Sequence, residues 1–141
     1  MILTVSGWRE WTDPEVVYVH LERYLRLYGA KLHLRVGDAD GVDKFTRGWM
    51  FDKTDNQGAH FTYQVYRADW AKFGKPAGPL RNGQMLRGEN STDLRRGIVA
   101  GRLLAFPQPG INWKTDKSGT VDCILQAVGL GVHLDVPGYK I

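Results

Sequence analysis

The residues of this 141-residue chain that could do chemistry sit in glycine-bearing clusters rather than in a nucleophile or metal motif. Gly37-Asp38-Ala39-Asp40-Gly41-Val42-Asp43 follows an alternating run, Lys31 to Val36, and precedes helical spacing at Val42, Phe45 and Trp49. It reads as a strand that ends, turns on glycine and starts a helix. Glycines 37 and 41 permit positive φ and close backbone approach, while a helix start offers unpaired N–H groups and positive dipole charge. Those are the parts of a phosphate cradle. The same parts occur in a plain strand-to-helix turn whose aspartates are caps, so the other clusters have to decide.

Other chemistries find less support. His20, His33, His60 and His133 are scattered without metal-ligand spacing, and two of them fall in strand-like runs. Asp38, Asp40 and Asp43 imitate a calcium loop, but Trp49 stands where an EF-hand places its twelfth-position glutamate. No metal and no cofactor is expected. The single cysteine, Cys123, excludes an internal disulfide and suits a reducing compartment. Trp70 beside Lys72 and Lys75 keeps a single-strand nucleic-acid surface open as an option, although the tryptophans more readily read as core or crevice wall.

The 19 Lys and Arg exceed the 15 Asp and Glu, giving net charge +4. That is mildly basic, and suits an anionic small ligand as well as it suits nucleic acid. No apolar run reaches the roughly 18 residues of a membrane span, and Met1-Ile2-Leu3-Thr4-Val5 lacks the features of a signal peptide. A cytoplasmic protein without membrane contact is expected. The length suits one domain over residues 1–141, large enough to bury its own core.

The elements that must position these clusters alternate. Ile2 to Val5 reads as a buried strand. Asp13-Pro14-Glu15 is a helix start, with an N-cap, proline at the first position and an acid facing the dipole. Val17, Leu21, Tyr24, Leu25 and Tyr28 then repeat at helical spacing up to Gly29. Leu32 to Val36 is the second strand, followed by a helix to about Asn56-Gln57-Gly58, and Phe61 to Tyr66 is the third strand. Pro76, Gly78 and Pro79 predict a long surface loop that enters a helix only around Arg81 to Arg87. Glu89 to Arg96 reads as a polar excursion. Leu103 to Phe106 is a fourth strand. After a further loop Ser118-Gly119-Thr120 opens a helix with Val121, Ile124, Leu125 and Val128 inward, and Val132 to Val136 is the last strand.

Strands alternating with helices predict an α/β fold: a three-layer, Rossmann-like arrangement with a mainly parallel sheet of about five strands. Ligands of such sheets sit beyond the carboxyl ends of the strands, where strand order reverses. That rule gathers four loops, Ser6 to Arg9, Gly37 to Asp43, Asp69 to Asn82 and Pro107 to Thr120.

Taken together, Ser-Gly-Trp-Arg, Gly-Asp-Ala-Asp-Gly-Val-Asp, Ala-Asp-Trp followed by Ala-Gly-Pro-Leu-Arg-Asn-Gly-Gln-Met-Leu, and Ala-Phe-Pro followed by Ser-Gly-Thr resemble the YspA-like branch of the SLOG superfamily. That Rossmann-like group also contains the DprA proteins and the phosphoribohydrolases once called lysine decarboxylases. The resemblance runs through nearly the whole chain in order. It implies binding of a nucleotide or nucleotide-derived molecule, in some members as a sensor, and branch members are common in phage and prophage genomes.

Carried over by position, the resemblance implies that Ser6, Gly7 and Arg9 line the first loop, with Arg9 able to hold a phosphate bidentately. It gives Gly37 and Gly41 the close backbone approach and leaves Asp38 in the same loop. Asp43 becomes a carboxylate for ribose hydroxyls or for capping. Gly78, Arg81 and Asn82 reach the ligand from the long loop, and Ser118, Gly119 and Thr120 present donors at the last helix start. A nucleotide-type ligand and self-association are the partners implied, with exposed Tyr18 or Leu27 available for pairing.

Two departures bear on catalysis. The phosphoribohydrolases carry Pro-Gly-Gly-x-Gly-Thr followed three residues later by a catalytic glutamate. Here Pro109-Gly110 is separated from Gly119-Thr120 by an insertion, and Cys123 occupies the glutamate position. Asp122 is one residue away, a rotation of about 100° on a helix. A binding module without assigned catalytic residues is therefore expected first. A phosphoribohydrolase using Asp43 or Asp122 with Arg81 is the alternative, and a DprA-like single-strand binder the third reading. Within the insertion, Trp113, Lys114 and Lys117 would form either a lid that stacks on a base or an ordinary surface loop.

Overall fold

In the computed structural model, which describes residues 1–112 and 115–138, the chain forms a five-stranded, all-parallel sheet in the order β3-β2-β1-β4-β5. The strands are β1 (Ile2–Gly7), β2 (His33–Gly37), β3 (Thr62–Tyr66), β4 (Arg102–Phe106) and β5 (His133–Asp135). Among the described residues the helices are α1 (Pro14–Tyr28), α2 (Val42–Phe51), α3 (Trp70–Phe73), α4 (Ala77–Arg87) and α5 (Gly119–Gly129). None is long and apolar enough to cross a membrane.

Both faces of the sheet are covered, so the central strand is buried on each alternate side. In β1, Leu3 and Val5 join Leu34, Val36, Leu104 and Phe106 beneath α1 and α2, with Val17, Leu21, Tyr24 and Met50. On the other face Leu103 and Ala105 pack with Met85, Leu86, Cys123, Ile124 and Ala127 of α4 and α5. The register aligns Val5 with Val36 on one side and with Leu104 on the other, so the carboxyl ends of β1, β2 and β4 finish together.

The expected cap of α1 is present: Asp13 accepts a hydrogen bond from Glu15 N with Pro14 in the first turn. At the start of α5 the cap is Ser118, whose Oγ accepts from Val121 N, and Thr120 lies inside the first turn. The helix that begins at Val42 continues as a π-helical turn over Asp52–Asn56.

Two expectations are corrected. The long loop before Arg81 is largely structured: α3 occupies Trp70–Phe73, and α4 starts at Ala77, ahead of Pro79. Pro79 stands in the first turn, where N–H groups have no intrahelical acceptor, so its missing donor costs little there. In α5, Val121 and Ile124 are buried as expected, but Leu125 and Val128 are 59% and 58% exposed, and Thr120, Cys123 and Ala127 complete the buried face. Thr120, Cys123, Ile124 and Ala127 follow the i, i+3, i+4, i+7 spacing of one helix face, which turns Leu125 and Val128 outward. Of the two residues expected to be free for pairing, Leu27 is exposed, whereas Tyr18 packs partly buried against the α1 side of the core.

Candidate functional site

Strand order reverses between β1 and β4, and a cleft of about 1350 Å³ opens beyond their carboxyl ends. Ser6, Gly7, Arg9, Asp38, Asp43, Gly78, Arg81, Asn82, Ser118, Gly119 and Thr120 all line it. Four separate loops thus converge, as the parallel topology requires. Gly37 and Gly41 are not among the lining residues.

The glycines explain themselves by what a side chain would strike. A Cβ on Gly37 would lie 2.6 Å from Asp43 Oδ2 and 2.7 Å from Arg81 Nη1. One on Gly41 would collide with the Trp8 carbonyl oxygen and the Arg9 backbone, and Gly41 also has φ +66°. Close backbone approach is therefore real at both positions, but it is made to the chain itself, a correction to the ligand-facing role expected of them. The α2 start is partly occupied too, since Val42 N donates to Trp8 O at 3.4 Å. Gly7 likewise leaves room for the Val42 side chain. Gly119, by contrast, has open space where its Cβ would stand.

A connected polar floor joins the clusters. Arg81 Nη1 donates to Asp38 Oδ1 at 2.7 Å, and Ala68 N donates to the same oxygen at 3.2 Å. Arg81 Nε donates to Asn82 Oδ1 at 3.2 Å, and Asn82 Nδ2 donates to Gly119 O and Asp122 Oδ2, both at 3.1 Å. Gln126 Nε2 closes the chain on Asp122 Oδ2 at 2.8 Å. Arg81 and Asn82 hold α4 against the β2 loop and α5 through Arg81 Nε and Nη1 and Asn82 Nδ2, while Arg81 also lines the cleft.

Asp43 is 5% exposed and accepts from Ala39 N at 3.2 Å. Burial pushes its carboxyl up to about 6, with Arg81 pulling the other way. Arg47 spans Gly37 O and Ala39 O at 2.9 Å each, stapling the turn from outside the set foreseen in the sequence. On α5 the rotation question is resolved: Cys123 is fully buried in the core, its thiol pushed up to about 12 by desolvation, while Asp122 lines the cleft. The carboxylate next to the phosphoribohydrolase position is the one that faces the crevice.

The rim has the opposite character. Arg9, Lys75 and Lys117 line the cleft, are exposed, and form no ion pair among the described residues. Gly119 and Thr120 open α5 with N–H groups that find no acceptor among the described residues, and Thr120 is 4% exposed. Asp38, Asp43, Asp116 and Asp122 all accept hydrogen bonds from protein donors, which leaves Glu10 and Asp40 as the lining carboxylates without such a partner. Among the described residues no cluster of His, Cys, Asp and Glu has an arrangement that could hold a metal ion. Trp113 and Lys114 of the expected lid lie outside the described residues.

Trp70, Lys75 and Lys117, which the sequence offered for a nucleic-acid surface and a lid and not for the nucleotide site, line the same cleft. Their signal was present in the length and composition of the two loops, but only the crossover order sets those loops side by side.

The chain is distantly homologous to the Gene 61 protein of Mycobacterium phage D29, with 34% identity over 83 residues. That match covers 59% of this chain and 66% of the phage protein, so the chain spans just under two thirds of its relative. No protein-family model matches the chain, and no solved structure matches it.

Proposed function

We propose that the chain is a SLOG-like binding module that holds a nucleotide or nucleotide-derived molecule in the cleft at the carboxyl edge of its sheet. The observation that carries this reading is the α5 start: the N–H groups of Gly119 and Thr120, without acceptors among the described residues, and an open Gly119 face one cleft. A helix start with unpaired donors favours an anionic group, and the unpaired rim cations Arg9, Lys75 and Lys117 add the same preference. In this reading the site senses or sequesters its ligand, and Ser6, Arg9, Ser118, Gly119 and Thr120 touch it, while Arg81, Asn82 and Asp38 keep the floor in shape.

A second reading is favoured by one specific feature. Asp122 faces the cleft next to Asn82, so a carboxylate is available for N-glycosidic hydrolysis of a nucleoside monophosphate. Its commitments to Asn82 and Gln126 favour a positioning role over proton transfer, and binding without turnover remains the primary reading. A resemblance to single-strand binders has weaker support, because the cationic residues form a rim around one crevice rather than a continuous stripe.

A calorimetric titration with nucleoside mono-, di- and triphosphates, ADP-ribose, cyclic nucleotides and short single-stranded DNA tests this reading. Binding of one nucleotide class that weakens in Arg9→Ala and Lys117→Ala supports it. Absence of binding by every nucleotide, with the protein folded, refutes it. Release of free base during the titration establishes the hydrolase instead.

A further inference from the structure

Trp70 is the first residue of α3, directly after the loop that follows β3, and it is 54% exposed although it is an indole in a cleft wall. Its Cη2 stands 3.3 Å from where a Cβ of Gly78 would be, and Cζ2 3.9 Å, so the ring edge lies over the bare backbone of the first turn of α4. Gly78 itself is buried. A larger residue at 78 would push the ring away. An exposed aromatic surface carries a hydration cost that a monomeric fold normally avoids by packing the ring inward. Here the ring is instead supported at one edge and left open towards the cleft.

The ring is also close to the anion-favouring end of the cleft. Gly78 and Asn82 are four residues apart on one helix, roughly 6 Å at the α-helical rise, and Asn82 Nδ2 is 3.1 Å from Gly119 O at the α5 start. An aromatic platform and a phosphate-type helix start therefore sit on the two flanks of one helix turn, within the same crevice. Lys75, between Trp70 and Gly78 in sequence, is an unpaired cation beside the platform.

We propose that Trp70 is the base platform of the cleft: the planar heteroaromatic base of a mononucleotide stacks on the indole over Gly78, while its phosphate meets the α5 start at Gly119 and Thr120. This rests on the nucleotide-binding reading and specifies its ligand class, a base-bearing phosphate rather than a sugar phosphate or a free phosphate. Stacking uses the π-face that every base has, so the platform accepts purines and pyrimidines with only modest preference. Base identity is not read at this residue.

The test is calorimetric titration of the whole chain with the four ribonucleoside 5′-monophosphates and with ribose 5-phosphate, comparing the native protein with Trp70→Ala, Trp70→Phe and Gly78→Ala. The exposed position of Trp70 leaves the core intact in each variant, which far-UV circular dichroism verifies. The expected result is about tenfold weaker mononucleotide binding in Trp70→Ala, most of it restored in Trp70→Phe. Gly78→Ala falls between them, and ribose 5-phosphate binds more weakly than any mononucleotide and is unaffected by the Trp70 variants. Mononucleotide binding that is unchanged in Trp70→Ala overturns the platform while leaving the nucleotide reading in place. Failure of all five compounds to bind the native protein overturns the mononucleotide platform, and the nucleotide reading falls with it only when the wider panel of nucleotides also fails to bind.

Discussion

Asn82 Nδ2 and Gln126 Nε2 donate to one and the same carboxylate oxygen, Oδ2 of Asp122, at 3.1 and 2.8 Å. The two amides come from α4 and α5, so the acid is a clasp between the helices that wall the cleft. Because a single oxygen receives both bonds, the carbonyl oxygen of an asparagine can take its place. Asp122→Asn should therefore keep its melting temperature within about 2 °C, a change of no more than a few tenths of a kcal/mol. It also removes a negative charge from the neighbourhood of the α5 start, so affinity for a nucleoside monophosphate should rise a few-fold. A loss of base release in Asp122→Asn, measured by chromatography of a reaction that the native protein completes, would show the acid to be catalytic instead.

Asp43 makes stability depend on pH with a particular sign. Its folded carboxyl titrates near 6 against an ordinary 3.8. Between those values the folded chain retains the proton and the unfolded chain has lost it, so this residue's contribution falls as pH rises from about 4 to 6 and stays low above that. The difference amounts to roughly 2 to 3 kcal/mol, taking about 1.4 kcal/mol per unit. His33 acts oppositely: burial lowers its pKa, so its contribution grows as pH rises towards 6.5. Comparing Asp43→Asn with the native protein by urea unfolding at pH 4.5 and 7.5 isolates the Asp43 term. The variant should gain stability relative to the native chain at the higher pH and gain only about a third as much at the lower.

The polar excursion after α4 is fastened by a network under the sheet. Arg35 and Asp93 are both 0% exposed, with Arg35 Nε donating to Asp93 Oδ2 at 2.9 Å. Arg35 also donates to the carbonyls of Ile98 and Arg95, both at 2.7 Å, while Tyr66 Oη and His33 Nε2 meet the Asp93 carboxylate at 2.6 and 2.8 Å. Removing one partner strands the other charge out of water. Asp93→Ala should cost about 3 to 5 kcal/mol, read as a lower urea midpoint, with hydrogen exchange accelerated first over residues 89–99. The double change Arg35→Met, Asp93→Leu should recover much of that loss, because two apolar groups leave no unpaired charge.

This network marks where the sequence stops being legible. Arg35 sits in a strand-like run whose alternation would place a charge at a sheet surface, and Asp93 sits in a polar stretch that reads as solvated. Their pairing across 58 positions is a tertiary fact that no local pattern carries. The parallel order of the sheet was legible, because strand and helix periods alternate and parallel pairing demands a crossover for each. Asp13 was legible as a cap from its place before Pro14 and Glu15. The start of α4 was not, since Gly78 and Pro79 look like breakers until they are counted from the first turn. Nor could spacing distinguish Leu125 and Val128 from Cys123 and Ala127 in α5, because Val121 and Ile124 belong to either choice of face. Residues of all four loops that the sequence singled out line one cleft, but the inward neighbours of Gly37 and Gly41 are set by how the β1 and β2 loops pack on each other.

That packing yields a last prediction. Gly41 has φ +66°, and the space of its missing side chain holds the Trp8 carbonyl oxygen, which itself accepts from Val42 N and Trp11 N. Gly41→Ala introduces backbone strain of about 1 to 3 kcal/mol at this dihedral and a collision with backbone that cannot rotate away. The β1 loop must shift to relieve it, carrying Arg9 with it. The variant should lose at least about 2 kcal/mol of stability by urea unfolding and weaken nucleotide binding, although residue 41 does not line the cleft. Gly119→Ala is the matching control: it has open space at its Cβ and ordinary backbone, so it should hold its stability. A methyl group at that position does face the cleft, and should weaken binding without moving the urea midpoint. A reversal of these two outcomes would mean that Gly41 is the ligand-facing glycine and that the α5 start is structural.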